Sequence, residues 1–182
     1  MVSWKGGLLL LAVLAVLVFA ALQVRPQPAP APAARLFPCD VTNALDLLVT
    51  GRDGRQVEVS RTTDRESWVL VKPFSAPADQ DSARSLVQDL HSIVPENAIQ
   101  HPDPPPAYGL DSPRLTVTCR VTSGASYTLT VGKENFDSSG YYAAKAGDGR
   151  VYVISSVPID DYDRQLVTPP VRSGASPSPS PN

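Results

Sequence analysis

Between residues 44 and 154 apolar side chains recur at every second position in short runs, except over 79–94, where they recur at every third or fourth. Alternation of period two marks strands with one face in a core, and a 3.6 period marks a helix able to cover such a face. The expected fold is therefore α+β: a largely antiparallel sheet of about seven short strands, with one long helix packed on a face and one short C-terminal helix. The strands are expected at 44–50, 56–61, 67–72, 114–122, 127–131, 141–145 and 151–154. Gly51-Arg52-Asp53-Gly54, Ser123-Gly124-Ala125-Ser126 and Gly147-Asp148-Gly149 are connections short enough to join antiparallel neighbours. Trp68 reads as a core anchor, and Pro73 should end the third strand.

Within the helical stretch Ala83, Leu86, Val87, Leu90, Ile93 and Val94 fall on one face, and Asp81, Arg84, Ser85, Gln88 and Asp89 turn outward. Asp79 suits the N-cap, where a carboxylate accepts from free first-turn N–H groups, and Pro95 should stop the helix. Pro158 fits the first turn of the second helix, whose Ile159, Tyr162 and Leu166 share a face. Between them, 95–113 reads as a long irregular crossing in which Gly109 takes a positive φ and Leu110 drops into the core.

Ahead of this domain, residues 8–22 carry no polar side-chain atom. At the helical rise, 6–24 reaches roughly 28 Å, close to the thickness of a bilayer's hydrocarbon core. A single transmembrane helix over 8–24 is expected, with a stub at 1–7 in the cytoplasm, a Pro/Ala-rich spacer at 25–38, the α+β domain at 39–168 outside the cytoplasm, and a disordered Ser/Pro tail at 169–182. Lys5, the apolar centre and Val18-Phe19-Ala20 also fit a cleaved secretory signal; the length of the run, and Phe19 and Leu22 where small residues would be wanted, favour the retained anchor. No cysteine directly follows the run, so any anchor is protein alone.

Sixteen basic against eighteen acidic side chains, scattered rather than clustered, lack the electrostatic footprint of nucleic-acid binding. Cys39 and Cys119 are the only thiols, and outside the cytoplasm they can form a disulfide. Cys119 is in phase with Leu115, Val117 and Val121 and so faces the core, which fits an unpaired buried thiol equally well. Neither cysteine has the context of a nucleophile or redox pair. His91 and His101 lack a second ligand at metal spacing and read as surface histidines. Asp160, Asp161 and Asp163 offer oxygens to a cation, but without the glycine and terminal glutamate of an EF-hand loop they are better explained by the dipole of their helix. Ser138, Ser139 and Gly140, with Lys133 and Glu134, form no nucleophile elbow or phosphate loop. Tyr108, Phe136, Tyr141 and Tyr142 are the candidates for an aromatic partner-binding patch, each with a core-packing alternative. No cofactor or metal is implied.

In order, Trp68-Val69-Leu70 with Pro73, Ala78-Asp79, Tyr108-Gly109-Leu110-Asp111 with Pro113, Val131-Gly132-Lys133, Tyr141-Tyr142 and Val151-Tyr152-Val153 resemble a bacterial family known as domain of unknown function 4340. The resemblance implies an N-terminal membrane anchor with the domain projected outside the cytoplasm. For some members it implies an accessory role beside ABC-type transport components of the gliding-motility kind, and it brings no catalytic residues. The expected function is thus a non-enzymatic, membrane-anchored extracytoplasmic accessory or interaction module of the cell envelope, with the membrane and an envelope or ABC-transporter protein as partners. The alternative is a secreted domain, released by signal cleavage, that binds a cell-wall or extracellular ligand.

Overall fold

The computed structural model describes residues 34–174. The stub, the span over 8–24 and most of the spacer and tail lie outside the described residues, among which no helix is long and apolar enough to cross a membrane. The elements are β1 (Ala44–Gly51), β2 (Gln56–Arg61), β3 (Trp68–Lys72), β4 (Ala76–Pro77), α1 (Gln80–Ser92), β5 (Asn97–Ile99), a 3-10 turn (Pro105–Tyr108), β6 (Leu115–Val121), β7 (Ser126–Glu134), β8 (Gly140–Lys145), β9 (Val151–Ser155) and α2 (Val157–Val167). The strands form one sheet in the order β4-β3-β2-β1-β6-β7-β8-β9-β5, antiparallel throughout. The fold is α+β, as alternation and helical period together require.

One sheet face is apolar. Leu47 and Val49 of β1, Val57 and Val59 of β2, Trp68 and Leu70 of β3, Leu115, Val117 and Cys119 of β6, and Leu129 and Val131 of β7 are all essentially inaccessible. Both helices pack on β1, and α2 also on β2. They are tied to each other by Tyr162, which is fully buried and donates its hydroxyl to the Leu86 carbonyl oxygen at 2.9 Å. Gln80 fastens the start of α1 to β3. Its amide accepts from Trp68 N–H (2.8 Å) and donates to the carbonyls of Trp68 and Ala78 (2.9 Å each), satisfying backbone groups that a strand partner would otherwise take. Asp79 caps α1 by accepting from Ser82 N–H at 2.9 Å.

The strand count is nine rather than seven. β4 and β5 have two and three residues, too few to display an alternation, and they exist because the edges of β3 and β9 offer unpaired N–H and C=O groups. β5 and the 3-10 turn also break up the 95–113 segment, which is not irregular throughout. Leu110 stays half-buried at the surface, and Tyr108 is the side chain that this segment buries. α1 ends sooner than its apolar pattern. Val94 precedes Pro95, whose ring disfavours helical backbone at that position, and it is left 37% exposed instead of joining the stripe. At the other end β7 runs on to Glu134, shortening the loop expected over 132–140.

Both domain boundaries move outward. Leu36 and Phe37, assigned above to the spacer, are buried in the core cluster. Beyond 168, Pro170 accepts from Asp79 N–H at 2.9 Å, Val171 bridges Ala78, and Arg172 N–H donates to the Pro77 carbonyl at 3.0 Å. These residues lack any period of their own and are recruited by the sheet edge and the helix start.

Candidate functional site

The N-terminal segment enters the domain at a prepared seat. Leu36 N–H donates to the Ile93 carbonyl just past α1 (3.1 Å), and Lys145 Nζ donates to the Leu36 carbonyl (2.9 Å) while lying 5.6 Å from the Phe37 ring. Arg35 Nη1 is 2.7 Å from His91 Nε2, so His91 is engaged by the incoming chain; His101 stays exposed. Three residues on, Cys39 is joined by a disulfide to Cys119 of β6, with the Cα atoms 6.6 Å apart and both residues fully buried. β6 neighbours β1 in the middle of the sheet order, so the root of the N-terminal segment is covalently held at the sheet's centre.

The four aromatic candidates do not form one patch. Tyr141 and Tyr142 are successive on β8 and therefore point to opposite sheet faces. Tyr141 is buried on the core side, with Arg114 5.0 Å above its ring and its hydroxyl 3.4 Å from Glu134 Oε1. Tyr142 packs edge-on against Tyr108, ring centroids 5.0 Å apart, on the other face. Tyr108 is buried and its hydroxyl accepts from Asp103 N–H at 3.2 Å. Phe136, at the tip of the β7–β8 loop, is 92% exposed, whereas Tyr142 is half-buried and the other two are buried.

The tyrosine pair packs where two backbone segments approach closely. Gly109 adopts φ +70°, in the left-handed region, and closes the 3-10 turn directly above β7. A Cβ built on Gly132 would come within 2.1 Å of the Tyr108 carbonyl oxygen, so the chain at Tyr108-Gly109 lies flat on Gly132-Lys133. Two motifs separated by more than twenty residues are thus halves of one contact.

The three aspartates of α2 part company as well. Asp163 accepts from Arg114 through Nε (2.9 Å) and Nη2 (2.6 Å), and Asp161 pairs with Arg164 at 2.5 Å; only Asp160 sits in the first turn with the dipole alone to explain it. Among the described residues no group of three His, Cys, Asp or Glu is placed to hold a metal ion.

Asp89, expected to face outward, is half-buried where α1 meets α2, in a cleft of about 250 Å³ shared with Asp161 and Gln165. Burial, reinforced by repulsion from Asp161 and partly relieved by Arg164, raises its carboxyl from the ordinary 3.8 to about 6. The native state therefore holds this proton more tightly than the unfolded chain. Stability present below the ordinary carboxyl value is lost as pH rises from 3.8 towards 6, and above that the charged group remains a constant penalty. Asp89→Asn should raise the unfolding free energy at neutral pH by about 2 kcal/mol, allowing for partial exposure, and flatten its dependence on pH across that window. Urea titrations at both ends of the window that run parallel for parent and variant would contradict this.

A second cleft, about 460 Å³, was not anticipated. The β1–β2 turn brings Arg52 and Arg55 beside Arg114, the residue before β6, and Leu166 and Val167 at the end of α2. The arginines come from positions some sixty residues apart, so no local pattern announces them.

No curated protein and no solved structure matches the chain. A family model described as a domain of unknown function, DUF4340, matches residues 68–167, from β3 to the end of α2 and more than half of the chain. The span takes in the Tyr108–Gly132 contact and the Cys119 half of the disulfide, and the chain belongs to this DUF4340 family.

Proposed function

We propose that this protein is a membrane-anchored, extracytoplasmic module of the cell envelope that acts by interaction rather than catalysis, as an accessory of a transport or surface complex. The observation that carries the reading is the seat of the N-terminal segment. A disulfide persists in oxidising compartments, and this one clamps the root of the segment that follows the apolar run. Leu36 and Phe37 bury beside it, so a pull on the leader would be delivered to the central strands and not to a frayed end. In favour of a non-catalytic role, three of the cleft cations are ion-paired, Arg114 with Asp163, Arg55 with Asp53, and Arg164 with Asp161. Asp89 has no such partner, and among the described residues it shares its cleft with no histidine or cysteine and no acid but the paired Asp81 and Asp161.

Fractionation of cells with an alkaline wash, followed by protease treatment of intact spheroplasts, tests the reading. The chain should stay in the washed membrane pellet and its domain should be digested from outside. Complete protection of the domain would refute the orientation. Recovery in the medium, with a new N-terminus near Ala20, would replace the anchor with a secreted domain.

A further inference from the structure

We infer that the cleft between the β1–β2 turn and the C-terminal end of α2 is a receptor for a carboxylate borne on a branched apolar group. The inference goes beyond the envelope reading and stands or falls separately from it, because the cleft is formed by the folded domain alone.

Three guanidinium groups line the cleft, and each is braced from one side. Arg114 gives Nε and Nη2 to Asp163, at 2.9 and 2.6 Å. Arg52 gives Nε and Nη2 to the carbonyls of Pro113 and Ser112, at 3.3 and 2.7 Å, and Arg55 gives Nε to Asp53 at 2.6 Å. Nη1 of Arg52 and of Arg114, and both terminal nitrogens of Arg55, have no partner among the described residues. A guanidinium held through its Nε edge keeps its remaining donors in a fixed plane, which lowers the entropy lost when an oxyanion arrives. The backbone cooperates. A Cβ on Gly51 would meet Leu166 Cδ1 at 3.0 Å and Asp53 Oδ1 at 3.1 Å, so glycine keeps this part of the cleft open.

The charge and the walls select the ligand. Three arginines and two aspartates line the cleft, an excess of one positive charge that the negative end of the α2 dipole partly offsets, and the modest remainder suits a monoanion better than a dianionic phosphate. Leu166 and Val167 supply an apolar wall beside the donors, and Val167 is 65% exposed at the end of its helix. A carboxylate alone would leave that wall wet; one attached to a leucine-like group would cover it. Two sources carry this chemistry: the free C-terminus of a polypeptide ending in an apolar residue, and a small branched acid.

The full chain in detergent micelles, labelled for amide NMR, should be titrated with acetyl-alanyl-leucine, its C-terminal amide, isovalerate and inorganic phosphate. Binding by the free-acid peptide should move the amide signals of Gly51, Arg55 and Leu166, while the peptide amide leaves them still. Arg55→Gln, whose only protein partner in the cleft is exposed Asp53, should keep the melting temperature and weaken binding about tenfold or more. Tighter binding of the peptide than of isovalerate assigns the site to a chain terminus, and equal binding assigns it to a small acid. Equal response to the peptide amide, preference for phosphate, an unmoved spectrum at millimolar ligand, or undiminished binding by Arg55→Gln each overturns the inference.

Discussion

Replacing Cys39 and Cys119 together by alanine lowers the melting temperature of the domain by about 15 °C, the largest loss expected from any pair of small substitutions here. The bond closes a loop across a sequence separation of 80 residues, and in the chain-entropy account its removal returns about 4 to 5 kcal/mol of conformational freedom to the unfolded state. Alanine avoids placing hydroxyl groups where both sulfurs are fully buried. Unfolding followed by circular dichroism should also show the parent falling to the level of the variant when dithiothreitol is present, with the variant indifferent to it. A variant that melts with the oxidised parent would mean that Leu36 and Phe37 alone hold the segment, and the clamp would lose its place in the proposed function.

Gly132→Ala is the second. The added methyl would stand 2.1 Å from the Tyr108 carbonyl oxygen and 3.2 Å from the carbonyl carbons of Tyr108 and Gly109, all of them backbone atoms that cannot rotate away. Either β7 or the 3-10 turn must retreat, and with it the Tyr108–Tyr142 packing. A loss of about 3 kcal/mol is expected, near 10 °C in melting temperature, with faster hydrogen exchange at Gly109 and Leu110. Gly124→Ala is the control. Gly124 has φ +85° but open space around its Cβ position, so that variant should suffer only the conformational penalty of about 1 kcal/mol. Gly132 has no positive φ of its own, so a loss no larger than that of Gly124→Ala would show that the turn gives way to the methyl at little cost and that the close approach does not require glycine.

The aromatic candidates illustrate where local reasoning stops. That Tyr108, Tyr141 and Tyr142 matter could be read from their setting among glycine, proline and alternating apolar residues. Which of them meet could not, because successive strand residues part to opposite faces and the partner of Tyr142 arrives from a segment more than thirty residues earlier. The helix that carries Asp89 was equally plain from its period. Its neighbour was not: the burial that raises the Asp89 carboxyl comes from α2, seventy residues away in the chain.

Period, proline and glycine are properties of neighbouring residues, and they were enough for the class of fold, for α1 and its Asp79 cap, for α2, and for the course of the seven longer strands. Backbone geometry repeats every two or 3.6 residues, so the record of which side is buried is written locally. The two shortest strands, the seat of Leu36 and Phe37, the Tyr108–Gly132 contact and the arginine cleft depend instead on which distant segments the sheet brings side by side. No local repeat encodes those meetings; they follow from burying one apolar face while finding partners for the backbone groups of the longer strands, which only the whole chain can satisfy at once.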